Sequence, residues 1–394
     1  MRYPPIHLLP GQDRRLRAGH PWIYSNELRM DAAAKALPSG APVCLFSGEG
    51  RPLALALFNP HSLIAARVIT RNKDATIDAP FFERRLARAL RLRERLFDRP
   101  YHRLVHAEAD GLPGMVIDRF ADVVVCQLNS AGMASLEPMI MEALERLLAP
   151  RTIVLRNDSP VRELEGLTQE VRLAKGSLDG PIELVENDVT FLIDPLEGQK
   201  TGWYYDQREN RAFVARLARD QSVLDLYSYS AGFGLQAAAA GAESVLAVDR
   251  SQLGLDLATA SAERNGLTAR LEVAREDAFA ALERLAADKR RFGVVVADPP
   301  AFVRSKRELK PGLRGYRKLA RACGPLVAEE GILAIACCSH NVPEDAFADE
   351  VRRGLRDAGR GGRLLRRAGA GPDHPSHPAL PESAYLKCFV YALD

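Results

Sequence analysis

A thiol and a carboxylate are the groups in this chain best suited to chemistry. Ala336-Cys337-Cys338-Ser339 closes an apolar run, and Asp298-Pro299-Pro300-Ala301-Phe302 closes another about forty residues earlier. A cysteine thiolate adds to electron-poor ring carbons, and the ring then becomes nucleophilic at the neighbouring carbon. Two prolines stiffen the turn after Asp298. They hold its carboxylate towards the crevice at the carboxyl ends of parallel strands, where open α/β sheets bind ligands. Such a carboxylate accepts from an exocyclic amine or holds a protonated ring nitrogen. Side chains alternate along a strand, so Cys337 and Cys338 point to opposite faces. Cys338 is read as the nucleophile and Cys337 as a packing residue. The thiol needs a cationic or hydrogen-bonding neighbour to ionise; Lys200, Arg208 and His340 are the candidates.

A cofactor pocket is legible upstream. Val223-Leu224-Asp225-Leu226-Tyr227 reads as a first strand, followed by Ser228, Ser230, Gly232 and Gly234. Glycines at such a turn let the backbone approach a ligand at the start of the next helix. Asp249 ends the second strand, where an acid accepts from both ribose hydroxyls. Asp277 follows the third strand, either meeting an adenine edge or capping a helix. The turn is compatible with a dinucleotide too, but nothing marks a nicotinamide pocket. With an activated methyl donor there, the thiol and carboxylate suit methylation of cytosine C5, a carbon too poor a nucleophile to react unaided.

Three segments must position these groups. Residues 1–72 read as a small β-rich module with short apolar runs at 43–46, 53–58 and 64–69. Residues 73–185 read as an α+β unit, with a long Arg-rich amphipathic helix over 80–97 and strands near 103–107, 115–118, 123–128 and 152–156. Residues 186–394 alternate strands and helices, the mark of a parallel sheet with crossovers. The expected strands there are 223–227, 244–249, 270–274, 293–298 and 331–338, with a final strand at 385–393. The stretch 359–381 is expected to be mostly loop, with a short strand at 364–366.

Composition bounds the partners. A chain of 394 residues suits two or three domains. The net charge is only +3, but residues 1–72 carry nine Lys/Arg against four Asp/Glu. Arg14, Arg15 and Arg17 fall together, which points either to a polyanion partner or to a solvated face. None of the six cysteines forms C-x-x-C, so no metal site is expected. The first residues lack a signal-peptide core, and no apolar run approaches ~18 residues. A cytoplasmic location is expected.

Gly198-Gln199-Lys200-Thr201-Gly202-Trp203-Tyr204-Tyr205-Asp206-Gln207-Arg208-Glu209-Asn210-Arg211 is the most distinctive run. Together with Gly19-His20-Pro21-Trp22, Glu108-Ala109-Asp110-Gly111-Leu112-Pro113-Gly114, Asp298-Pro299-Pro300, Cys338-Ser339 and Tyr385-Leu386-Lys387, it resembles the bacterial large-subunit ribosomal RNA cytosine-C5 methyltransferases that carry an N-terminal PUA domain. The resemblance spans nearly the whole chain. It implies a doubly wound Rossmann-like methyltransferase sheet at 186–394, preceded by a PUA-like domain at 1–72 and a small α+β domain at 73–185. The implied cofactor is S-adenosylmethionine, and the implied partner is ribosomal RNA, 23S or its precursor particle. Oligomeric state stays open, a homodimer included. By resemblance Cys338 is the nucleophile, with Asp298 beside it. Asp225, Tyr227, Ser228, Gly232, Asp249, Arg250 and Asp277 line the cofactor, and Thr201, Gly202, Asp206 and Arg208 help close its site. Lys200, Pro299, Phe302, Arg14, Arg15 and Arg17 face the RNA.

One position departs from the pattern. Many RNA cytosine-C5 enzymes carry a second cysteine beside the fourth-strand proline, where this chain has Ala301. Another group must then assist product release, and His340 is the candidate base. Two other readings compete. One is methylation of a guanine nitrogen, for which Cys338 would have no use. The other is a non-catalytic RNA-binding or assembly protein that keeps a relict fold.

Overall fold

A computed structural model describes residues 2–394. The chain forms two compact units. The first comprises residues up to Gly180 together with Pro195–Trp203 and Pro372–Ser383; the second comprises Pro181–Asp194, Tyr204–Gly371 and Ala384–Asp394. Each unit is therefore interrupted in sequence by the other.

Two five-stranded sheets make the first unit. One runs Pro5–His7, Ala41–Phe46, Pro52–Phe58, Ala66–Thr70, Trp22–Ile23; its first pair is parallel and the rest antiparallel. The other runs Glu170–Lys175, Thr152–Asn157, Val123–Leu128, Met115–Phe120, Tyr101–His106. The helix Ala79–Glu94 covers this second sheet. Asp78 caps it by accepting from Phe81 N, and Pro80 sits in its first turn. Its face of Phe82, Leu86, Ala89 and Leu90 packs on Leu104, Ile117 and Cys126.

A buried ionic knot ties distant pieces of this unit together. Arg93 has no exposed surface; it grips both oxygens of Asp110 and donates to the carbonyls of Arg103 and Asp373. Arg103 holds both oxygens of Asp118, and the Thr201 hydroxyl donates to the same carboxylate. Asp373 in turn accepts from Arg103 N and pairs with His374. Buried charges are stable only when paired and hydrogen-bonded on all sides. Removing one cation leaves an uncompensated buried carboxylate. Arg93→Ala is expected to cost about 3–5 kcal/mol. Chemical denaturation of the full-length chain checks this; a loss under 1 kcal/mol would contradict the role given to the knot.

The second unit carries the sheet that matters for function. In chain order its seven strands are Ser222–Leu226, Ser244–Asp249, Leu271–Arg275, Phe292–Ala297, Val327–Cys337, Gly362–Ala368 and Lys387–Leu393. Across the sheet they lie in the order 3-2-1-4-5-7-6. The first five are parallel and the last two antiparallel to their neighbours. This is a doubly wound sheet with its order reversing beside the first strand, where ligands collect. A hairpin, Ile182–Glu186 with Val189–Ile193, precedes it.

Several elements differ from the sequence reading. Glu170–Lys175 and the hairpin were not expected as strands. Val171 and Leu173 alternate with charges on an exposed edge, so no apolar run marks that strand. Asn187 and Asp188, both at positive φ, make the hairpin turn. The expected short strand at 364–366 is a seven-residue edge strand, Gly362–Ala368. Among the described residues no helix is long and apolar enough to cross a membrane.

Candidate active site

The loop after Ser222–Leu226 is wound unusually. Tyr227, Tyr229 and Ala231 all take positive φ, at 59°, 49° and 54°. Non-glycine residues adopt this region at a cost, which structures tolerate mainly around ligands. The helix Gly232–Ala239 starts at once. Gly234 must be glycine: a Cβ there would meet Val245 Cγ1 at 2.8 Å and Asp225 Oδ2 at 3.2 Å. That closeness lets Gly234 N donate to Asp225 Oδ2 at 2.8 Å. Asp249, at the end of the next strand, accepts from Tyr229 N and Ser251 N, each within 2.9 Å, which fixes its carboxylate at the mouth of the loop. Asp277 is a helix cap, accepting from Phe279 N and Ala280 N. Its other oxygen lies 4.0 Å from exposed Arg250.

Asp225 is 1% exposed. Burial, helped by the nearby charges of Asp298 and Asp249, pushes its carboxyl up to about 7, although the Gly234 hydrogen bond opposes the shift. The folded state thus binds this proton more tightly than the unfolded chain, whose carboxyl has the ordinary value of 3.8. Stability from this group is complete below about pH 4 and is lost as pH rises towards 7. Asp225→Asn should remove that drift. Between pH 4 and 7 the wild type should lose stability relative to the variant by on the order of a few kcal/mol. Thermal melts of both proteins across that range measure it, and parallel curves would contradict the buried-acid assignment.

The reacting end lies on the neighbouring strands. Phe292–Ala297 delivers Asp298, and Val327–Cys337 delivers Cys338. Cys338 is half-buried, and its Sγ donates to the Pro299 carbonyl at 3.9 Å. Cys337 is wholly buried in the core with Tyr316, Phe347 and Phe389. Asp298 accepts from Gln207 Nε2 at 3.0 Å; Gln207 is oriented by Asn210, which also donates to the Gly369 carbonyl. Burial first, then the negative charges of Asp298 and Asp206, push the Tyr204 phenol far up, so it remains a proton donor. Asp206 is buried and accepts from the Tyr385 hydroxyl.

Sequence reasoning missed Gln207, Asn210 and, above all, Lys387. This lysine is only 7% exposed and pairs in register with Cys337. Its Nζ donates to the carbonyls of Ser339, at 2.6 Å, and Tyr385, at 3.0 Å. Burial lowers its pKa, and the two thiols Cys337 and Cys338 draw it back up. Lys387 thus places a buried amine with two carbonyl partners close to both thiols. Three other residues were expected as the cationic neighbour of the thiol. His340 is exposed. Arg208 pairs with buried Glu186 and stacks over Tyr205. Lys200 belongs to the first unit. Only register across an antiparallel pair brings Lys387 to Cys337, and sequence spacing carries no such signal.

The structure therefore gathers Asp225, Tyr227, Ser228, Gly232, Asp249, Arg250, Asp277, Asp206, Asp298, Pro299, Phe302 and Cys338 into the second unit. Phe302 is half-buried, its ring 4.7 Å from that of Tyr316. Thr201, Gly202, Arg14, Arg15 and Arg17 belong with Lys200 to the first. There Arg15 pairs with Glu27 and lies over Tyr24, and Arg17 pairs with Asp13. Arg14 and Arg17 are both exposed and Arg15 is partly so.

Two features of the pocket fit a sulfonium nucleoside. Ser228 Oγ is buried with no hydrogen-bond partner, an orphan that a bound polar group would satisfy. Asp249 and Asp298 lie near enough to Asp225 to act on its carboxyl, and such a cluster of acids suits a cationic ligand. Asp249 would hold the ribose, and Asp277 with Arg250 would border the base.

The chain is similar to known proteins along nearly its whole length. Residues 6–71 match a PUA-like domain, and residues 172–387 match an S-adenosylmethionine-dependent methyltransferase family. Ribosomal RNA large subunit methyltransferase I of Pseudoalteromonas atlantica is 37% identical over 389 residues, covering 98% of both chains. The protein of that name from Aliivibrio fischeri is 38% identical over 392 residues, with the same coverage. In fold, the crystal structure of a candidate methyltransferase complexed with SAH aligns with a TM-score of 0.84 at 19% identity, over 99% of this chain and 100% of that one. S-adenosylmethionine is the cofactor of this chain. With a PUA-like domain ahead of a Rossmann-like methyltransferase sheet, and relatives this similar along its whole length, the chain belongs to the ribosomal RNA large subunit methyltransferase I family.

Proposed function

We propose that this chain methylates C5 of a cytosine in large-subunit ribosomal RNA, in the cytoplasm, through a covalent adduct between Cys338 and C6 of the base. The observation that carries the reading is the placing of Cys338 beside the Asp298-Pro299 turn, with buried Lys387 bonded to the next residue's carbonyl. Residues 1–72, 73–185 and 186–394 are the proposed domains, the first of them an RNA-binding module.

The chemistry follows from the groups present. Asp225 and Asp249 would hold S-adenosylmethionine, which would supply an electrophilic methyl group. Lys387 favours the anionic form of Cys338, whose Sγ adds to C6 of the base and leaves the electron pair at C5. Asp298, oriented by Gln207, accepts from the exocyclic amine or holds the protonated ring nitrogen as charge shifts. Methyl transfer would release S-adenosylhomocysteine; a base, for which His340 is the candidate, then takes the C5 proton, and the electron pair of that C–H bond re-forms the C5–C6 double bond as the S–C6 bond breaks and the thiolate leaves. The target base must be unpaired or flipped to reach Cys338.

The test is methyl transfer from labelled S-adenosylmethionine to ribosomal RNA from cells lacking the protein, followed by mass spectrometry of the nucleosides. Labelled 5-methylcytidine is expected. A methylguanosine would move the chain to the guanine-nitrogen class, and no transfer at all would favour the non-catalytic reading.

A further inference from the structure

The turn that carries Asp298 continues into a basic segment that the site chemistry does not use. Residues 304–314, Arg-Ser-Lys-Arg-Glu-Leu-Lys-Pro-Gly-Leu-Arg, hold five cations and one acid. Arg304, Lys306, Arg307, Lys310 and Arg314 are all exposed. The single acid, Glu308, has its carboxylate turned onto the backbone N–H groups of Arg304 and Ser305, at 2.9 and 3.1 Å. Among the described residues none of the five cations makes an ion pair. The same unit pairs its other surface arginines routinely: Arg317 with Asp357, Arg352 with Asp349, Arg353 with Glu350.

Packing gives no reason for this concentration of charge. The segment opens the helix Leu309–Cys323, whose first turn has no acid. Cations near a helix N-terminus face the positive end of the helix dipole and cost stability there. Five unpaired like charges in eleven residues also repel one another. A cluster kept against both penalties answers to something outside the fold.

Its position says what. Ser339 Oγ donates to the Val303 carbonyl at 2.6 Å, and Asn341 Nδ2 donates to the Arg304 carbonyl at 3.3 Å. The residues just after Cys338 are thus laced to the start of the basic segment. The helix seats closely on the same turn because residue 312 is glycine; a Cβ there would meet Val303 Cγ2 at 2.3 Å and the Phe302 oxygen at 2.6 Å. The chain that follows Cys338, the end of the Asp298 turn and the start of the basic segment are therefore held together by direct bonds and close packing.

We infer that Arg304, Lys306, Arg307, Lys310 and Arg314 form a phosphate-binding track for the single-stranded RNA that flanks the target base, and so hold that base over Cys338. This rests on the RNA-substrate reading but not on which base atom is methylated. Flexible lysines and arginines bind phosphates without reading sequence, so the track would position the strand rather than select it.

The experiment uses the full-length protein and a fluorescein-labelled oligocytidylate, with affinity measured by anisotropy over a series of salt concentrations. In one variant Lys306, Arg307, Lys310 and Arg314 are changed to Gln. In a control, Arg352, Arg353 and Arg356 on the helix Glu344–Asp357 are changed to Gln. S-adenosylmethionine binding by calorimetry verifies that each variant is folded. The track variant should lose about ten-fold or more in affinity at low salt. If each lost cation met one phosphate, its log–log salt slope should shrink by about 3. The control should match the wild type. An unchanged slope in the track variant would overturn the assignment, as would an equal loss in the control, which would mean that only net charge matters. If the wild type itself binds the RNA without salt dependence, the RNA-substrate reading falls as well, whereas a salt-dependent wild type with an unaffected track variant removes the track alone.

Discussion

Replacing Cys338 with Ala should abolish methyl transfer, by about 10⁴-fold or more, while S-adenosylmethionine binding stays within a few-fold of wild type. The loss is large because no other group can take the place of the thiolate. The other five cysteines are buried, and Cys337, the nearest in sequence, points into the core. Without addition at C6, C5 has no electron pair to offer. Cofactor affinity should survive because Asp225, Asp249 and Ser228 sit on and after the first two strands of the sheet, whereas Cys338 follows the fifth. Cys338→Ser should be as inactive, since a hydroxyl at that position does not ionise. Cys337→Ala makes the contrast. It should lower stability by roughly 1–3 kcal/mol through a core cavity and leave the chemistry in place. Scintillation counting of methyl incorporation, with calorimetry for the cofactor, separates these outcomes. Full turnover by Cys338→Ala would remove the covalent mechanism outright.

Lys387→Met should have the next largest effect, and a characteristic one. The ammonium is buried and bonded to two carbonyls, and its charge favours the thiolate over the thiol at Cys338. Without it the thiolate forms only at higher pH. Activity at pH 7 should fall roughly ten-fold for each pH unit by which the profile moves. The direction is fixed by sign: the lost charge is positive and the reactive form is negative, so the activity–pH curve moves up the pH axis and activity recovers as pH rises. Alkylation of Cys338 by iodoacetamide, followed by peptide mass mapping across pH, reads the same shift without any RNA. The substitution also removes the Nζ donor from the carbonyls of Ser339, which still accepts from Val342 N, and Tyr385, at a cost of about 1–3 kcal/mol. That structural cost lowers activity evenly and does not move the midpoint of the alkylation curve. Superimposable curves for variant and wild type would reduce Lys387 to a packing residue.

What the sequence made legible, and what it hid, divides along physical lines. The parallel strands were visible because buried strands read as unbroken apolar runs, as in Ser244–Asp249 and Phe292–Ala297. Asp225, Asp249 and Cys338 were visible because chemistry gathers at the carboxyl ends of such runs. Lys387 was hidden because it reaches the thiols only through antiparallel pairing between strands about fifty residues apart. Gln207 lay inside a run already singled out, but hydrogen bonding to Asp298, ninety-one residues away in sequence, has no local signature. The basic residues 304–314 were readable as charge; that they adjoin the thiol emerged only from Ser339 and Asn341 bonding to that loop. For Arg15 and Arg17 the sequence shows charge but not its local partners; the fold pairs them with Glu27 and Asp13 of their own module while leaving much of each side chain exposed.

The ionic knot around Arg93 and Arg103 has a consequence for how the protein is made. Its acceptor Asp373 lies near the end of a chain of 394 residues, whereas Arg93 and Arg103, which donate to it, come in the first third. A chain leaving the ribosome exposes those arginines long before their partners exist. Domains ordinarily fold in order as they emerge; the knot of this first unit is completed only once Asp373 has been synthesised. The sheet of the second unit waits longer still, for its strand Lys387–Leu393, so a nascent chain stalled short of residue 372 would lack both the knot's last acceptor and the strand that carries Lys387.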